Sequence, residues 1–337
     1  MLWDRIARRH AGLSGGGGGD AIMHAPVEGQ PRNRLKIGLA LGGGAARGWA
    51  HIGVMRVLQR EGIVPDVIAG CSIGAVVGGC YAAGKLDELQ DFALSLTKRR
   101  VMGLLDFHIS GSGLIAGGRL RRLLDQDLTD YRVDTLPIRF VTIATELGTG
   151  HEIWLTRGPL VEAMRASYAL PGIFDPVPIG GRWLMDGALV NPIPITAARA
   201  LGADIVICVN LNNEVRARGT VIQSYDAADS DEKDIEAVMD EPKRWGIFAP
   251  ARAHRPKKPD APGIATVMID AFNITQDRIA RSRLAGDPPD LMIAPKLAKM
   301  GLFEFHRAEE AIELGRQATE RALPDILDLL REGNAIS

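Results

Sequence analysis

Gly70-Cys71-Ser72-Ile73-Gly74 is the stretch that decides the fold. It follows an apolar run that predicts a strand, Val67 to Ala69, and it precedes one that predicts a helix, Ile73 to Ala83. A Gly-x-Ser-x-Gly stretch between a strand and a helix is typical of a nucleophile elbow, a sharp turn that exposes the serine hydroxyl. So tight a turn requires glycine at positions 70 and 74. A Gly/Ser turn formed by chance is the alternative, but this setting favours catalysis by Ser72.

The flanking sequence predicts an α/β fold. An apolar strand (Ile37 to Leu41) comes first, and a segment with helical spacing (Trp49 to Arg60) follows it. This order of β, loop, α, β, elbow and α predicts a mostly parallel sheet with helices on both faces. Further strands are predicted at Phe140 to Ala144, Glu152 to Leu155, Val177 to Ile179, Trp183 to Met185, Ile205 to Val209 and Leu291 to Ala294. Further helices are predicted at Leu86 to Leu96, Pro159 to Ala166, Ile193 to Leu201, Val267 to Leu284 and Ala308 to Leu330.

Composition excludes several classes of protein. The 337 residues carry a formal net charge of -1, so nothing indicates a nucleic-acid partner. The three cysteines have no zinc-like spacing, and their odd number fits no disulfide framework, which favours a reducing cytoplasmic location. No apolar stretch is long enough to predict a transmembrane helix. No cluster of His, Asp and Glu offers metal ligands, and neither a metal nor another cofactor is expected.

The predicted domain organisation is a flexible leader over residues 1–34 and one catalytic domain over residues 35–337. The leader contains Gly15 to Gly19 and lacks the apolar core of a secretory signal. Within the domain, residues 213–262 combine an acidic stretch with a basic, proline-rich one, which predicts an insertion or lid. C-terminal helices are expected over residues 304–331.

A second motif, Gly42-Gly43-Gly44-Ala45-Ala46-Arg47-Gly48, lies directly after the first strand. Consecutive glycines let backbone amides converge on one anionic oxygen. A dinucleotide loop is excluded because Arg47 occupies its sixth position, and a Walker A loop because Trp49-Ala50 follows Gly48. An oxyanion hole built from Gly42, Gly43, Gly44, Ala45 and Arg47 suits a loop paired with an elbow. A tight strand-to-helix turn is the simpler alternative.

The third motif, Asp186-Gly187-Ala188, ends a predicted hairpin whose turn is Gly180-Gly181. An aspartate that leaves a strand into a glycine can project into a crevice. By itself the motif is more typical of an ordinary Asp-Gly turn. The presence of the other two motifs is what favours a functional role for Asp186.

Together these motifs resemble the patatin-like phospholipases. The resemblance is carried by Gly42 to Gly48, by Gly70 to Gly74 and by Asp186-Gly187-Ala188-Leu189-Val190-Asn191-Pro192, in the family's order. It is greatest to the bacterial relatives of the neuropathy target esterase catalytic domain, whose pattern Arg165-Ala166-Ser167 also matches. It implies a three-layer α/β/α fold and a serine–aspartate dyad without histidine. Carried over, Ser72 is the nucleophile and Asp186 the general base.

The resemblance to the family also implies roles for the remaining motif residues. Gly43, Gly44 and Ala45 form the oxyanion loop, and Arg47 supports it. Ala45 stands where many relatives have a fourth glycine, and Ala188 stands where plant members have glycine.

The dyad has a physical rationale and a rival. A free aspartate is a weak base with a pKa of about 3.9, and partial burial in a crevice raises that value. A Ser–Asp–His triad needs a histidine after Asp186, either His254 in the proline-rich insertion or His306, which is expected to face solvent. His51, on the helix after the glycine loop, is expected to provide packing or polar support. The dyad is therefore preferred.

The predicted function is hydrolysis of carboxylic ester bonds in phospholipids or lysophospholipids. The alternatives are an acyltransferase that uses the same acyl-enzyme, and a non-catalytic lipid-binding protein on the same scaffold. Val101 to Leu105 and Trp245 to Phe248 combine apolar residues with nearby basic ones, which suggests peripheral contact with a membrane. Ordinary loops with inward-facing apolar side chains explain both segments equally well. Oligomeric state cannot be predicted.

Overall fold

A computed structural model of the chain describes residues 35–99, 124–212 and 264–336. Its strands are β1 (Ile37–Leu41), β2 (Val67–Cys71), β3 (Arg139–Glu146), β4 (Glu152–Leu155), β5 (Val177–Ile179), β6 (Arg182–Asp186), β7 (Ile205–Val209) and β8 (Leu291–Ile293). Its helices are α1 (Ala50–Arg60), α2 (Ile73–Ala82), α3 (Leu86–Leu94), α4 (Leu160–Tyr168), α5 (Ile195–Ala200), α6 (Ile264–Gly286) and α7 (Ala308–Ile336).

The strands form one mixed sheet that is mostly parallel. Strands β3, β2, β1, β7 and β8 lie side by side in that order, and each is parallel to its neighbours. Strands β4 and β6 both pair antiparallel with β3, and β5 pairs antiparallel with β6. Gly180 and Gly181 both have positive φ in the β5–β6 turn, as a two-residue hairpin requires.

Two hydrophobic cores lie on opposite faces of the sheet because side chains alternate along each strand. In β1, Leu39 and Leu41 face a core that includes residues of α1, α2, α3, α4 and α7. Ala40 faces the other core, to which α5 and the second half of α6 contribute. The three-layer α/β/α arrangement predicted from the order of elements is therefore confirmed.

Most predicted elements are found within a few residues of their expected ends. The helix predicted from Ile193 starts at Ile195, because Pro194 adopts a non-helical conformation at its N-cap. The C-terminal helix extends further than expected, to Ile336. The leader and the 213–262 insertion lie outside the described residues, so the domain partition stays a prediction.

Candidate active site

The Gly-x-Ser-x-Gly stretch forms a sharp turn between β2 and α2. Ser72 has φ 55° and ψ −123°, a strained conformation for a residue with a side chain. A Cβ atom on Gly70 would lie 2.5 Å from the Cα of Ala75, and one on Gly74 would overlap the carbonyl oxygen of Leu41. Both positions therefore require glycine, for the steric reason that the sequence suggested.

The register of β3 explains how Asp186 comes to meet Ser72. Residues 142–145 of β3 pair with β4 along one edge. On the other edge of β3, the pairing with β2 ends at Cys71, which lies opposite Ile143. The pairing of β3 with β6 begins at the next residue, where Asp186 lies opposite Ala144. The two strands thus meet end to end, and the last residue of β6 lies beside the residue that follows β2. Ser72 Oγ donates a hydrogen bond to Asp186 Oδ2 at 2.7 Å.

The carboxyl group of Asp186 is buried, with 2% of the residue exposed. Burial raises its pKa to about 7, and the hydrogen bonds from Ser72 and from the Ala188 amide partly oppose this shift. The Ala188 amide donates to Asp186 Oδ1 at 2.8 Å, which fixes the plane of the carboxyl group. Near neutral pH the carboxyl group can therefore both accept and return a proton.

Gly187 and Ala188 complete the acid motif. A Cβ atom on Gly187 would overlap the carbonyl oxygen of Ile143 in β3, so the chain can leave β6 at this angle only with glycine. Ala188 is fully buried. The motif is consequently more than the ordinary Asp-Gly turn that the sequence alone favoured.

The glycine loop leaves two backbone amides unpaired. The Gly42 amide donates to the Val209 carbonyl at 3.2 Å, and the Gly43 amide donates to the Pro192 carbonyl at 3.0 Å. In the described part of the chain, the amides of Gly44 and Ala45 have no hydrogen-bond acceptor. Ala45 has a positive φ of 48°, where a glycine would be unstrained. Of the predicted oxyanion loop, these two amides are the ones available to an anion.

Arg47 anchors this loop from behind. Its Nε donates to the Met300 carbonyl at 2.9 Å and its Nη1 to Asn212 Oδ1 at 3.0 Å. The neighbouring Ala46 amide donates to the Leu302 carbonyl at 2.9 Å. The predicted supporting role of Arg47 agrees with these contacts, which join the loop to a distant part of the chain.

Three histidines bear on the choice between a dyad and a triad. His51 is buried and donates from Nε2 to the Gly42 carbonyl at 2.8 Å, and burial lowers its pKa to about 4. It is therefore neutral at pH 7 and supports the glycine loop. His306 is half-buried where a solvent-facing position was expected, and His254 lies outside the described residues. No described histidine donates to or accepts from Ser72 or Asp186.

Comparison with known proteins assigns the family. Residues 39–199 match the family model described as patatin-like phospholipase. An NTE family protein of Mycobacterium tuberculosis is 35% identical over 330 residues, a match that covers 86% of this chain and 91% of that protein. This chain belongs to the patatin-like phospholipases. Its relatives identify the branch as the bacterial one related to neuropathy target esterase.

Two further matches are weaker. The lysophospholipase nte1 of Emericella nidulans is 25% identical across 83% of this chain and 17% of that protein. The structure of VipD from Legionella pneumophila matches with a TM-score of 0.35 and 12% identity, over 89% of this chain and 80% of that one. Family membership makes this patatin-like phospholipase a lipid hydrolase of the esterase class.

One contact in this patatin-like phospholipase has no clear signal in the sequence. The buried Ser167 on α4 accepts a hydrogen bond from the Ser72 amide at 2.8 Å. This contact holds the elbow, and it also removes the Ser72 amide from the donors available to substrate. The sequence marks Ser167 only as part of a family pattern, since a serine on a buried helix face has no spacing that reveals its partner.

Peripheral contact with a membrane is predicted for two segments of the chain. In the three described ranges, no helix is both long and apolar enough to cross a bilayer. The two segments with interfacial character, Val101 to Leu105 and Trp245 to Phe248, lie outside those ranges.

Proposed function

We propose that this patatin-like phospholipase hydrolyses the carboxylic ester bonds of phospholipids or lysophospholipids, with Ser72 as nucleophile and Asp186 as general base. The observation that carries this proposal is the 2.7 Å hydrogen bond from Ser72 Oγ to a buried carboxyl group whose pKa is about 7. A base poised near the working pH suits proton transfer from an attacking hydroxyl.

Acylation begins when Ser72 Oγ attacks the ester carbonyl carbon. The Oγ–C bond forms while the hydroxyl proton passes to Asp186 Oδ2, and the carbonyl oxygen becomes an oxyanion. Collapse of this intermediate breaks the bond between the carbon and the alcohol oxygen. The proton on Asp186 then moves to the departing alcohol, so that the acyl-enzyme holds an ionised aspartate.

Deacylation repeats these steps with water. Asp186 takes a proton from the water as its oxygen bonds to the acyl carbon, and the second oxyanion collapses by breaking the bond to Ser72 Oγ. The proton returns to Ser72, and a fatty acid is released. Both oxyanions fit the unpaired amides of Gly44 and Ala45, and the N-terminus of α2 also favours negative charge.

A lipid with a polar head group fits the surroundings of the site. An open groove of about 460 Å³ is lined by Leu189 and Val190, which directly follow the acid motif. Glu152 and Arg283, which form an ion pair at 2.7 Å, also line it. Apolar and charged walls in one groove suit an amphipathic ester better than a fully apolar one.

Three readouts test the proposal and separate it from its alternatives. The wild type should be labelled by a fluorophosphonate probe and should release fatty acid from lysophosphatidylcholine or phosphatidylcholine. With a labelled acyl donor and an added acceptor alcohol, most label should appear as free acid. Label transferred mainly to the alcohol would assign an acyltransferase. Absence of both labelling and acid release would favour a lipid-binding protein.

We also propose a cytoplasmic location with peripheral contact at the inner face of the membrane. The basic and apolar segments named above support it, because such segments bind anionic surfaces. The protein should sediment with vesicles that contain phosphatidylserine, and high salt should weaken this binding. If the protein stays in the supernatant at low salt, membrane contact is ruled out while the hydrolase proposal stands.

A further inference from the structure

The buried face of α6 contains one polar residue at a position that packing would fill with an apolar one. Ala280 and Leu284 lie four and eight residues after Gln276, so all three share one face of the helix. Ala280 and Leu284 pack into the core on the α5 side of the sheet. Gln276 is as buried as Ala280, with 3% of the residue exposed.

The amide of Gln276 reaches the catalytic centre. A Cβ atom placed on Gly43 would lie 2.7 Å from Gln276 Nε2 and 3.5 Å from the Cβ of Ser72. Gln276 Nε2 therefore lies against Gly43, on the side of that residue that faces Ser72. The unpaired amide of Gly44 belongs to the next residue of that loop.

This amide has no partner in the described residues. Neither Gly43 nor Ser72, the two residues it adjoins, forms a hydrogen bond with it. The amide therefore keeps a donor that can bind a ligand beside the nucleophile. Methionine or leucine would fill the position with apolar atoms alone. A substrate oxygen next to Ser72 would supply an acceptor.

We propose that Gln276 is a catalytic residue that donates a hydrogen bond from Nε2 to the ester carbonyl oxygen as it becomes an oxyanion. It would act beside the amides of Gly44 and Ala45, and this inference rests on the proposed hydrolase function. As a neutral donor, Gln276 stabilises the anion without adding a charge that would raise or lower the pKa of Asp186. It also makes α6, which follows the undescribed insertion, a part of the active site.

Replacement of Gln276 by methionine tests the role, because methionine keeps the length of the side chain and removes the donor. We expect kcat for a p-nitrophenyl ester to fall by about 10²-fold with little change in KM, as for loss of one oxyanion donor. The thermal midpoint should stay close to that of the wild type, because methionine is similar in length and volume to glutamine. Gln317→Met makes the same change on α7, where Gln317 donates a hydrogen bond to Glu313, and should behave as wild type.

Two further measurements separate a donor from a packing residue. Gln276→Glu should be slower than Gln276→Met, because a carboxylate next to the oxyanion repels it. With a thiono ester, in which sulfur replaces the carbonyl oxygen and accepts hydrogen bonds poorly, wild type and Gln276→Met should differ by less than about threefold. Equal losses on both esters, or wild-type rates in Gln276→Met, would overturn the role of Gln276. A wild type that neither cleaves esters nor reacts with fluorophosphonate would instead overturn the hydrolase proposal.

Discussion

Replacement of Ser72 by alanine is expected to lower kcat for ester cleavage by about 10⁵-fold or more, the scale seen when a hydrolase loses its nucleophile. The substitution removes the oxygen that bonds to Asp186 and leaves the strained turn and its two glycines in place. Fluorophosphonate labelling should disappear as well, because no other hydroxyl lies on the elbow. Initial rates with a p-nitrophenyl ester and with lysophosphatidylcholine measure the effect.

Ser95→Ala is the matched control. It removes a hydroxyl from an exposed residue that follows α3 and donates to the Phe92 carbonyl. Its rates should equal those of the wild type. If Ser72→Ala kept more than a tenth of wild-type activity, Ser72 would not be the nucleophile, and the mechanism would have to be abandoned.

Replacement of Asp186 by asparagine is expected to lower kcat by about 10³–10⁴-fold, because asparagine cannot accept the serine proton. Its amide oxygen can still accept the hydrogen bond from the Ala188 amide, so the geometry of the turn should be preserved. In the wild type, kcat/KM should rise with pH through about pH 7 and then level off, as the carboxyl group ionises. A flat profile from pH 5 to pH 9 would contradict Asp186 as the base.

The same substitution should stabilise the protein in a pH-dependent way. Asp186 has a folded-state pKa of about 7, above its ordinary value of 3.8, so burial of the ionised form opposes folding. Below about pH 4 the carboxyl group is protonated in both states and this penalty is absent. Between about pH 4 and pH 7 the unfolded state alone gives up its proton, and the wild type loses stability.

Thermal midpoints measured at pH 4 and pH 8 test this linkage. The midpoint of Asp186→Asn should exceed that of the wild type by several degrees at pH 8 and match it more closely at pH 4. Asp130→Asn, at an exposed position, should show no such dependence. A variant with a lower midpoint than the wild type at pH 8 would mean that the ionised carboxylate stabilises the fold.

Much of this fold could be predicted from apolar patterns. Parallel strands buried on both faces appear as short continuous apolar runs, such as Ile205 to Val209, and the glycine turns between elements are equally visible. The sharp turn at Ser72 was predictable because a nucleophile elbow needs its glycines at fixed offsets. Asp186 could be paired with it only through the resemblance to a family, since 114 residues separate the two in the chain.

Other features of the site depend on contacts that no local pattern encodes. The sequence suggested a whole oxyanion loop, but the positions of Val209 and Pro192 decide which amides remain unpaired. These two residues come from β7 and from the segment before α5, and their distance from the loop depends on how the sheet assembles. The position of Gln276 in the site could not be predicted for the same reason. Its helix is predictable from the sequence, but the surface on which that helix packs is not.

The anchoring of Arg47 has a consequence for the order in which the molecule matures. The Met300 carbonyl that Arg47 binds comes 253 residues after the arginine, so it is synthesised well after the elbow and the glycine loop. A nascent chain that has not yet reached Met300 contains the elbow serine but lacks this anchor for the glycine loop. We therefore expect ester hydrolysis to begin only after synthesis has passed Met300.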